Sequence, residues 1–193
     1  FRSAPVHSPM IIGNSTSTTA KPTLRRAPAT QKVGATLSQA MVAASWVTHH
    51  VAAGASLPSV LRDVSLKLMS ASLRGACQDL AYQTQRQKGR ADALLTGLTK
   101  KPFESIDAGV LGLLRVALSL MCDDTYDAHN PAPYEAHTVV DQAVTALPAV
   151  LACGLGKTLP ALHLVAHSNH NTKVVAGFVN GVLRTYLREK ETR

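Results

Sequence analysis

Residues 106–122 read IDAGVLGLLRVALSLMC, and this stretch decides the fold. Apolar side chains occupy nearly every position around the helix that the stretch predicts, and Ser105 stands where an N-cap is expected. A helix that is apolar all round must be enclosed by other elements. The stretch is too short to cross a bilayer and it carries Arg115. We therefore predict a central, buried helix of an all-α bundle.

The chain around this helix shows the same helical period from Thr36 onward. Ala and Leu dominate, while aromatic residues make up only 4% of the sequence, and this composition favours helices over strands. Thr36 is placed to cap the first helix and Gly54 to close it, whereas Gly89 and Pro102 indicate later helix ends. About seven helices are predicted, with the six beside the central one at 37–53, 57–69, 70–89, 90–99, 134–147 and 171–190.

Two segments fall outside this pattern. Residues 1–35 lack a hydrophobic period and any acidic residue, and they carry five of the eight surplus positive charges. Such a segment cannot bury enough surface to fold, so we predict a disordered basic tail before a domain at residues 36–193. Residues 148–170 contain Pro148, Gly154, Gly156 and Pro160, and these helix breakers predict an insertion within the domain.

The charge balance restricts the class of partner. The 193-residue chain has a formal net charge of +8, which indicates an anionic partner, with nucleic acid first and a membrane surface second. Residues 104–141 are acidic, with seven carboxylates against Arg115 alone. Charge is therefore segregated along the sequence, as expected of a domain that presents a basic face to RNA.

The predicted third helix carries the main candidate RNA-binding row. Arg74, Gln78, Tyr82 and Arg86 recur every four residues and so share one helix face. Arginines can pair with phosphates, and a tyrosine can stack on a base. The alternative is an ordinary solvated face with cations near a helix C-terminus. The remaining candidates are basic residues that follow this row or lie on the last helix: Lys88, Arg90, Lys100, Lys101, Arg184 and Arg188.

The last helix contains two further features. Gly177 and Gly181 are four residues apart, a spacing that would let a neighbouring helix approach closely. Asn180 lies between them, and we interpret it first as a structural residue that ties down a neighbouring helix. A ligand is not needed to explain it.

Candidate catalytic and metal-binding residues are weak. Residues 154–158, GLGKT, match only part of a phosphate-binding loop. His163, His167 and His170 lack an accompanying acidic or cysteine ligand. The three cysteines are far apart in sequence, and they predict reduced, mostly buried thiols of a cytoplasmic protein. We therefore assign no catalytic, cofactor or metal site to the chain.

Four segments, in this order, resemble the NusB-like N-terminal domain of the RsmB family, the 16S rRNA cytosine-C5 methyltransferases. They are residues 74–95, which begin RGACQDLAYQTQR and end RADALL, residues 113–118 (LLRVAL), residues 133–144 (PYEAHTVVDQAV) and residues 178–184 (FVNGVLR). The resemblance implies a bundle of about seven helices that binds 16S rRNA. It also implies a C-terminal catalytic domain, absent from this chain, that uses S-adenosylmethionine.

Three functions follow from these observations. The first is an RNA-binding domain that docks a 16S rRNA methyltransferase onto its substrate, in the cytoplasm and without a membrane partner. The second is a stand-alone NusB-type antitermination factor, since NusB resembles the same domain. The third is a protein-interaction module whose basic face serves solubility. Whether the chain belongs to an enzyme stays open at this point.

Overall fold

The structure, a computed structural model, describes residues 35–63, 69–122, 132–153 and 170–191. The predicted basic tail up to residue 34, residues 123–131 and most of the predicted insertion, with its GLGKT stretch, lie outside the described residues. The described residues form helices and connecting turns only. The prediction of an all-α fold is therefore confirmed.

Six α-helices and one 3-10 turn make up the described residues. The helices are α1 (Leu37–Ala52), α2 (Leu57–Leu61), α3 (Ala71–Leu98), α4 (Ala108–Met121), α5 (Ala136–Cys153) and α6 (His170–Glu191), and the 3-10 turn covers Phe103–Ser105. Helix α4 packs against α1, α3, α5 and α6, which also contact one another in the order α1, α3, α6, α5 and back to α1. The apolar stretch therefore forms the axis of the bundle, as predicted.

Helix α4 is enclosed along nearly its whole length. Every residue from Val110 to Met121 is buried, Arg115 included. The predicted N-cap is wrong, because Ser105 belongs to the 3-10 turn. Asp107 caps the helix instead, and its carboxylate accepts hydrogen bonds from the backbone N–H groups of Gly109 and Val110 at 2.9 and 3.1 Å. An aspartate at this position also complements the positive end of the helix dipole.

Helix α1 begins and ends where the sequence predicts. Thr36 and Gln39 form a capping box, in which each side chain accepts a hydrogen bond from the other residue's backbone N–H. Gly54 follows the helix with φ of 101°, a left-handed conformation that glycine adopts without strain. These two signals therefore fix the length of α1.

The predicted break at Gly89 is wrong. Helix α3 runs unbroken from Ala71 to Leu98, and Gly89 is an exposed residue inside it. Core residues lie on both sides of the glycine, with Thr84 before it and Ala91 and Leu95 after it. Glycine costs a helix only about 1 kcal/mol relative to alanine. Burial of these side chains on one continuous face offsets that cost.

Helix α5 likewise passes through a predicted breaker. Pro148 lies within it, and residues 148–153 belong to the helix rather than to the predicted insertion. Proline removes one backbone hydrogen bond and crowds the preceding turn. Leu147 and Val150 on either side are buried in the core, so tertiary packing holds the segment helical. The predicted helix end at residue 147 is therefore too early.

By length and composition alone, α5 could also cross a membrane. This observation is weak, because the core helices of bundles pass the same test. Val139, Ala143 and Leu147 are completely buried against neighbouring helices. In this structure α5 therefore serves as a core helix.

Candidate nucleic-acid interface

One face of α3 presents the predicted basic and aromatic row to solvent. Arg74, Gln78, Tyr82 and Arg86 are all exposed. Leu73, Cys77, Leu80 and Ala81, on the opposite face, are buried in the core. Tyr82 is 39% exposed, one of few large hydrophobic side chains so open among the described residues. The bundle therefore holds these four side chains on one accessible face, with the tyrosine among the cations.

The surface beside this row is open. Gly75, Gly89 and Gly97 lie on α3 with no heavy atom within 4 Å of the position a Cβ would take. Arg90 extends the exposed basic face toward the C-terminal half of the helix, while Asp79 is the acidic residue within it. Within the described residues, this face of α3 is therefore not covered by another element.

Lys88 lies in a different environment from the row. Its Nζ is 3.4 Å from Oδ2 of Asp92, and Oδ1 of Asp92 accepts a hydrogen bond from Nε of buried Arg115 at 2.6 Å. The Arg115 guanidinium also lies 5.8 Å from the centre of the Phe103 ring. Lys88 therefore belongs to an ion-pair network that joins α3 to α4. In this network Arg115, the one lysine or arginine of the acidic residues 104–141, pairs with Asp92 of the basic helix α3.

Lys100 and Lys101 are exposed after the end of α3. Nζ of Lys101 lies 5.1 Å from the centre of the Phe178 ring on α6, within the range of a cation–π contact. This contact brings the end of the α3 basic region beside α6. The structure therefore joins two basic regions that are about eighty residues apart in sequence.

The exposed face of α6 is a second basic surface. Lys173, Arg184 and Arg188 are exposed on it. Nε of Arg184 donates a hydrogen bond to Oδ1 of Asn180 at 2.9 Å, and Arg188 donates one to Thr185 at 3.1 Å. These contacts, made within one helix, hold the guanidinium groups at the surface.

Two structural interpretations of α6 are wrong. Gly177 and Gly181 are exposed, with nothing within 4 Å of the position that a Cβ would take, so no described helix approaches them. Asn180 is half-buried, and its described hydrogen bond is to Arg184 on its own helix. A close approach of two helices occurs instead between α1 and α4. A Cβ on Gly112 of α4 would lie 2.7 Å from the carbonyl oxygen of Ser45 on α1.

A groove of about 420 Å³ lies between α5 and α6. It combines polar and apolar walls, lined by His137, Val140, Asp141, Val144, Ala176, Gly177, Asn180, Arg184 and Leu187. Sequence reasoning missed the groove because its residues come from two segments more than thirty positions apart. The available signal was the spacing of His137, Asp141 and Val144, which places three side chains on one helix face.

The cysteines of the described residues have the character of core residues. Burial raises the pKa of the Cys77 thiol to about 12 and that of Cys153 to about 11. No disulfide joins any of the three. Within the described residues, no group of three or more histidine, cysteine or acidic side chains is placed to hold a metal ion.

We expect native-state alkylation to confirm this character. Because little thiolate forms at pH 8, iodoacetamide should modify Cys77 and Cys153 at least about tenfold more slowly than in the urea-unfolded chain. Quenched time points analysed by peptide mass spectrometry give both rates. Equal rates in the folded and unfolded chain would contradict the assigned burial.

Comparison with known proteins finds a partial sequence similarity to a ribosomal RNA methyltransferase. The chain is 36% identical over 93 residues to the ribosomal RNA small subunit methyltransferase B of Pseudomonas syringae pv. tomato. The similarity covers 48% of this chain and 20% of the relative, so the matched region spans about a fifth of that protein's length.

Two other comparisons give no match. No protein-family model matches the chain, and no solved structure matches it. The partial likeness to the methyltransferase supports a relationship to the RsmB family. The NusB-like character of the bundle stays a prediction from the sequence.

Proposed function

We propose that residues 36–193 form an RNA-binding helical domain that docks a 16S rRNA cytosine-C5 methyltransferase onto its substrate. The observation that carries the proposal is the exposed row on α3, with Arg74, Tyr82 and Arg86 on one accessible face. The similarity to an rRNA methyltransferase supports the choice of rRNA as the partner. The basic residues of residues 1–35 add to the attraction for RNA.

The chemistry of the surface suits unpaired RNA. Arginines pair with phosphates through two parallel hydrogen bonds. Exposed aromatic rings stack on bases that single-stranded loops and bulges present. Arg90, Lys100 and Lys101 would extend the phosphate contacts from α3 toward Arg184 and Arg188 on α6. Lys88 would contribute less, because its ammonium group already pairs with Asp92 at 3.4 Å.

Catalysis would belong to a separate domain of the same or another polypeptide. Open α/β sheets bind nucleotide-type cofactors outside the ends of their parallel strands. The described residues form helices and turns, so the described part of the chain offers no site of that kind. The chain would therefore hold the RNA in the cytoplasm while its partner domain transfers the methyl group.

Charge reversal on α3 tests the proposal. We expect Arg86→Glu to weaken binding to a 16S rRNA hairpin about tenfold and to reduce the slope of log affinity against log salt by about one. Fluorescence anisotropy at several salt concentrations measures both quantities. The reversal acts through lost phosphate pairing and added repulsion, so circular dichroism should stay unchanged.

Arg62→Glu is the matched control, because Arg62 is an exposed cation at the end of α2 and not a member of the α3 row. The two reversals change the net charge equally. Equal losses of affinity in both variants would mean that only total charge matters and would contradict a defined interface. Unchanged affinity in the Arg86 variant would favour a protein-interaction module.

A further inference from the structure

From the groove between α5 and α6, we propose a binding site for one unpaired nucleotide of RNA. This inference rests on the proposed RNA-binding function and adds a defined pocket with base preference to it. The volume of about 420 Å³ falls within the range of about 300–1,000 Å³ that is typical of small-molecule sites. A single base with its ribose is a ligand of suitable size for such a groove.

The two helices run antiparallel along the groove. A Cβ placed on Gly109 at the start of α4 would lie 2.9 Å from Cγ1 of Val150, near the end of α5. Tyr186, near the end of α6, donates a hydrogen bond to the carbonyl of Met121 at the end of α4. The start of α5 therefore lies beside the end of α6. This direction places His137 and Asp141 of one wall opposite Arg184 and Asn180 of the other.

The apolar part of the groove suits the flat faces of a base. Val140 and Val144 line it from α5 and Leu187 lines it from α6. Gly177 leaves the α6 wall open, since no atom lies within 4 Å of a Cβ placed there. An interior glycine weakens a helix relative to alanine, and no described packing contact explains the glycine at position 177. A glycine at position 177 leaves the groove accessible to a ligand.

The polar part supplies both acceptors and donors. Asp141 is exposed, and its carboxylate can accept from the exocyclic amino group of a base. Oδ1 of Asn180 already accepts from Arg184 at 2.9 Å, which turns the amide nitrogen into the donor for a ring nitrogen. Arg184 is exposed at the rim and can pair with the phosphate. A base with an adjacent amino group and ring acceptor, such as cytosine, satisfies this pattern better than uracil does.

The charge around the groove favours RNA over an acidic or a neutral peptide. Lys173, Arg184 and Arg188 make the exposed face of α6 cationic, which suits a chain of phosphates running along the helix. On the α5 side, Asp141 is acidic, and Nδ1 of His137 pairs with a carboxylate oxygen of Glu135 at 3.2 Å. A nucleotide can therefore place its phosphate at α6 and its base amino group at α5.

The test uses the full chain and variants that fill the groove without disturbing the fold. Gly177→Leu places a side chain in the groove and improves helix propensity, so its thermal stability should not fall. Gly181→Leu is the matched control, because Gly181 is equally open but does not line the groove. The probes are ten-nucleotide oligocytidylate and oligouridylate, which differ at the base, and fluorescence anisotropy measures their binding.

We expect the wild-type chain to bind oligocytidylate about fivefold more tightly than oligouridylate, as one added hydrogen bond would give. Gly177→Leu should weaken oligocytidylate binding about tenfold, whereas Gly181→Leu should bind like the wild type. Asp141→Ala should abolish the preference. Equal binding of the two oligonucleotides, or unchanged affinity in Gly177→Leu, would overturn the pocket. If Arg86→Glu still weakened binding in that case, the proposed function would stand without it.

Discussion

Asp92→Ala is expected to destabilise the domain by about 3 kcal/mol, because it leaves a buried arginine without its partner. Arg115 is 8% exposed on the central helix, and its Nε donates to Asp92 at 2.6 Å. The side chain of Asp92 is 23% exposed, so we place the loss at the lower end of the range for buried pairs. Urea denaturation followed by circular dichroism measures the free energy of unfolding.

Two controls separate pairing from the general effect of losing a carboxylate. Asp79→Ala removes an exposed carboxylate from the same helix, and it should change stability by less than about 0.5 kcal/mol. Asp92→Ala combined with Arg115→Met should recover most of the loss, because an apolar side chain then replaces the unpaired cation. Failure of the double variant to recover would show that Arg115 contributes through packing rather than through its pair with Asp92.

Gly112→Leu is expected to destabilise the domain by about 3 kcal/mol or to prevent folding. A Cβ at this position would lie 2.7 Å from the backbone oxygen of Ser45. The obstacle is backbone, so α1 and α4 must move apart to admit a side chain. The helix crossing at the centre of the bundle depends on this contact. Thermal and urea unfolding measure the loss, and Gly112→Ala gives a milder version in case the leucine variant does not fold.

Gly75→Ala is the matched control for this prediction. Gly75 is an interior helical glycine with no atom within 4 Å of a Cβ position. Its replacement should stabilise the chain by up to about 1 kcal/mol through helix propensity. Destabilisation of similar size at both positions would contradict the close approach of α1 and α4.

The central helix and its surroundings were predictable because hydrophobic periodicity reports burial directly. The stretch around Leu113 is apolar on all sides, and only an enclosed helix suits such a sequence. The capping box at Thr36 and the left-handed glycine at Gly54 are local signals, and both fix the ends of α1 as predicted. Local chemistry therefore determined this part of the fold.

Helix ends that depend on tertiary packing were not predictable in this way. Gly89 and Pro148 are weak helix formers, and propensity alone predicts breaks at both. Burial of Ala91 and Leu95 beyond the glycine, and of Val150 beyond the proline, keeps α3 and α5 continuous. That burial depends on contacts with neighbouring helices, and the local sequence does not reveal those contacts.

In the candidate interface, too, features within one helix were predictable from the sequence, whereas features that join two helices were not. The spacing of Arg74, Tyr82 and Arg86 within one helix predicted that they share a face, and all three are exposed. Lys88 and Asp92 form an i,i+4 pair within α3, but the contact of Asp92 with Arg115 joins two helices, so spacing within one helix did not reveal the network. The groove between α5 and α6 was missed for the same reason.

The most direct test of the RNA-binding account is fluorescence anisotropy of the full chain with a 16S rRNA hairpin and a scrambled RNA of equal length, each at low and at moderate salt. The account predicts tighter binding of the rRNA hairpin, with an affinity that falls steeply as salt increases because phosphates dominate the contacts. No binding of either RNA at low salt would contradict the account.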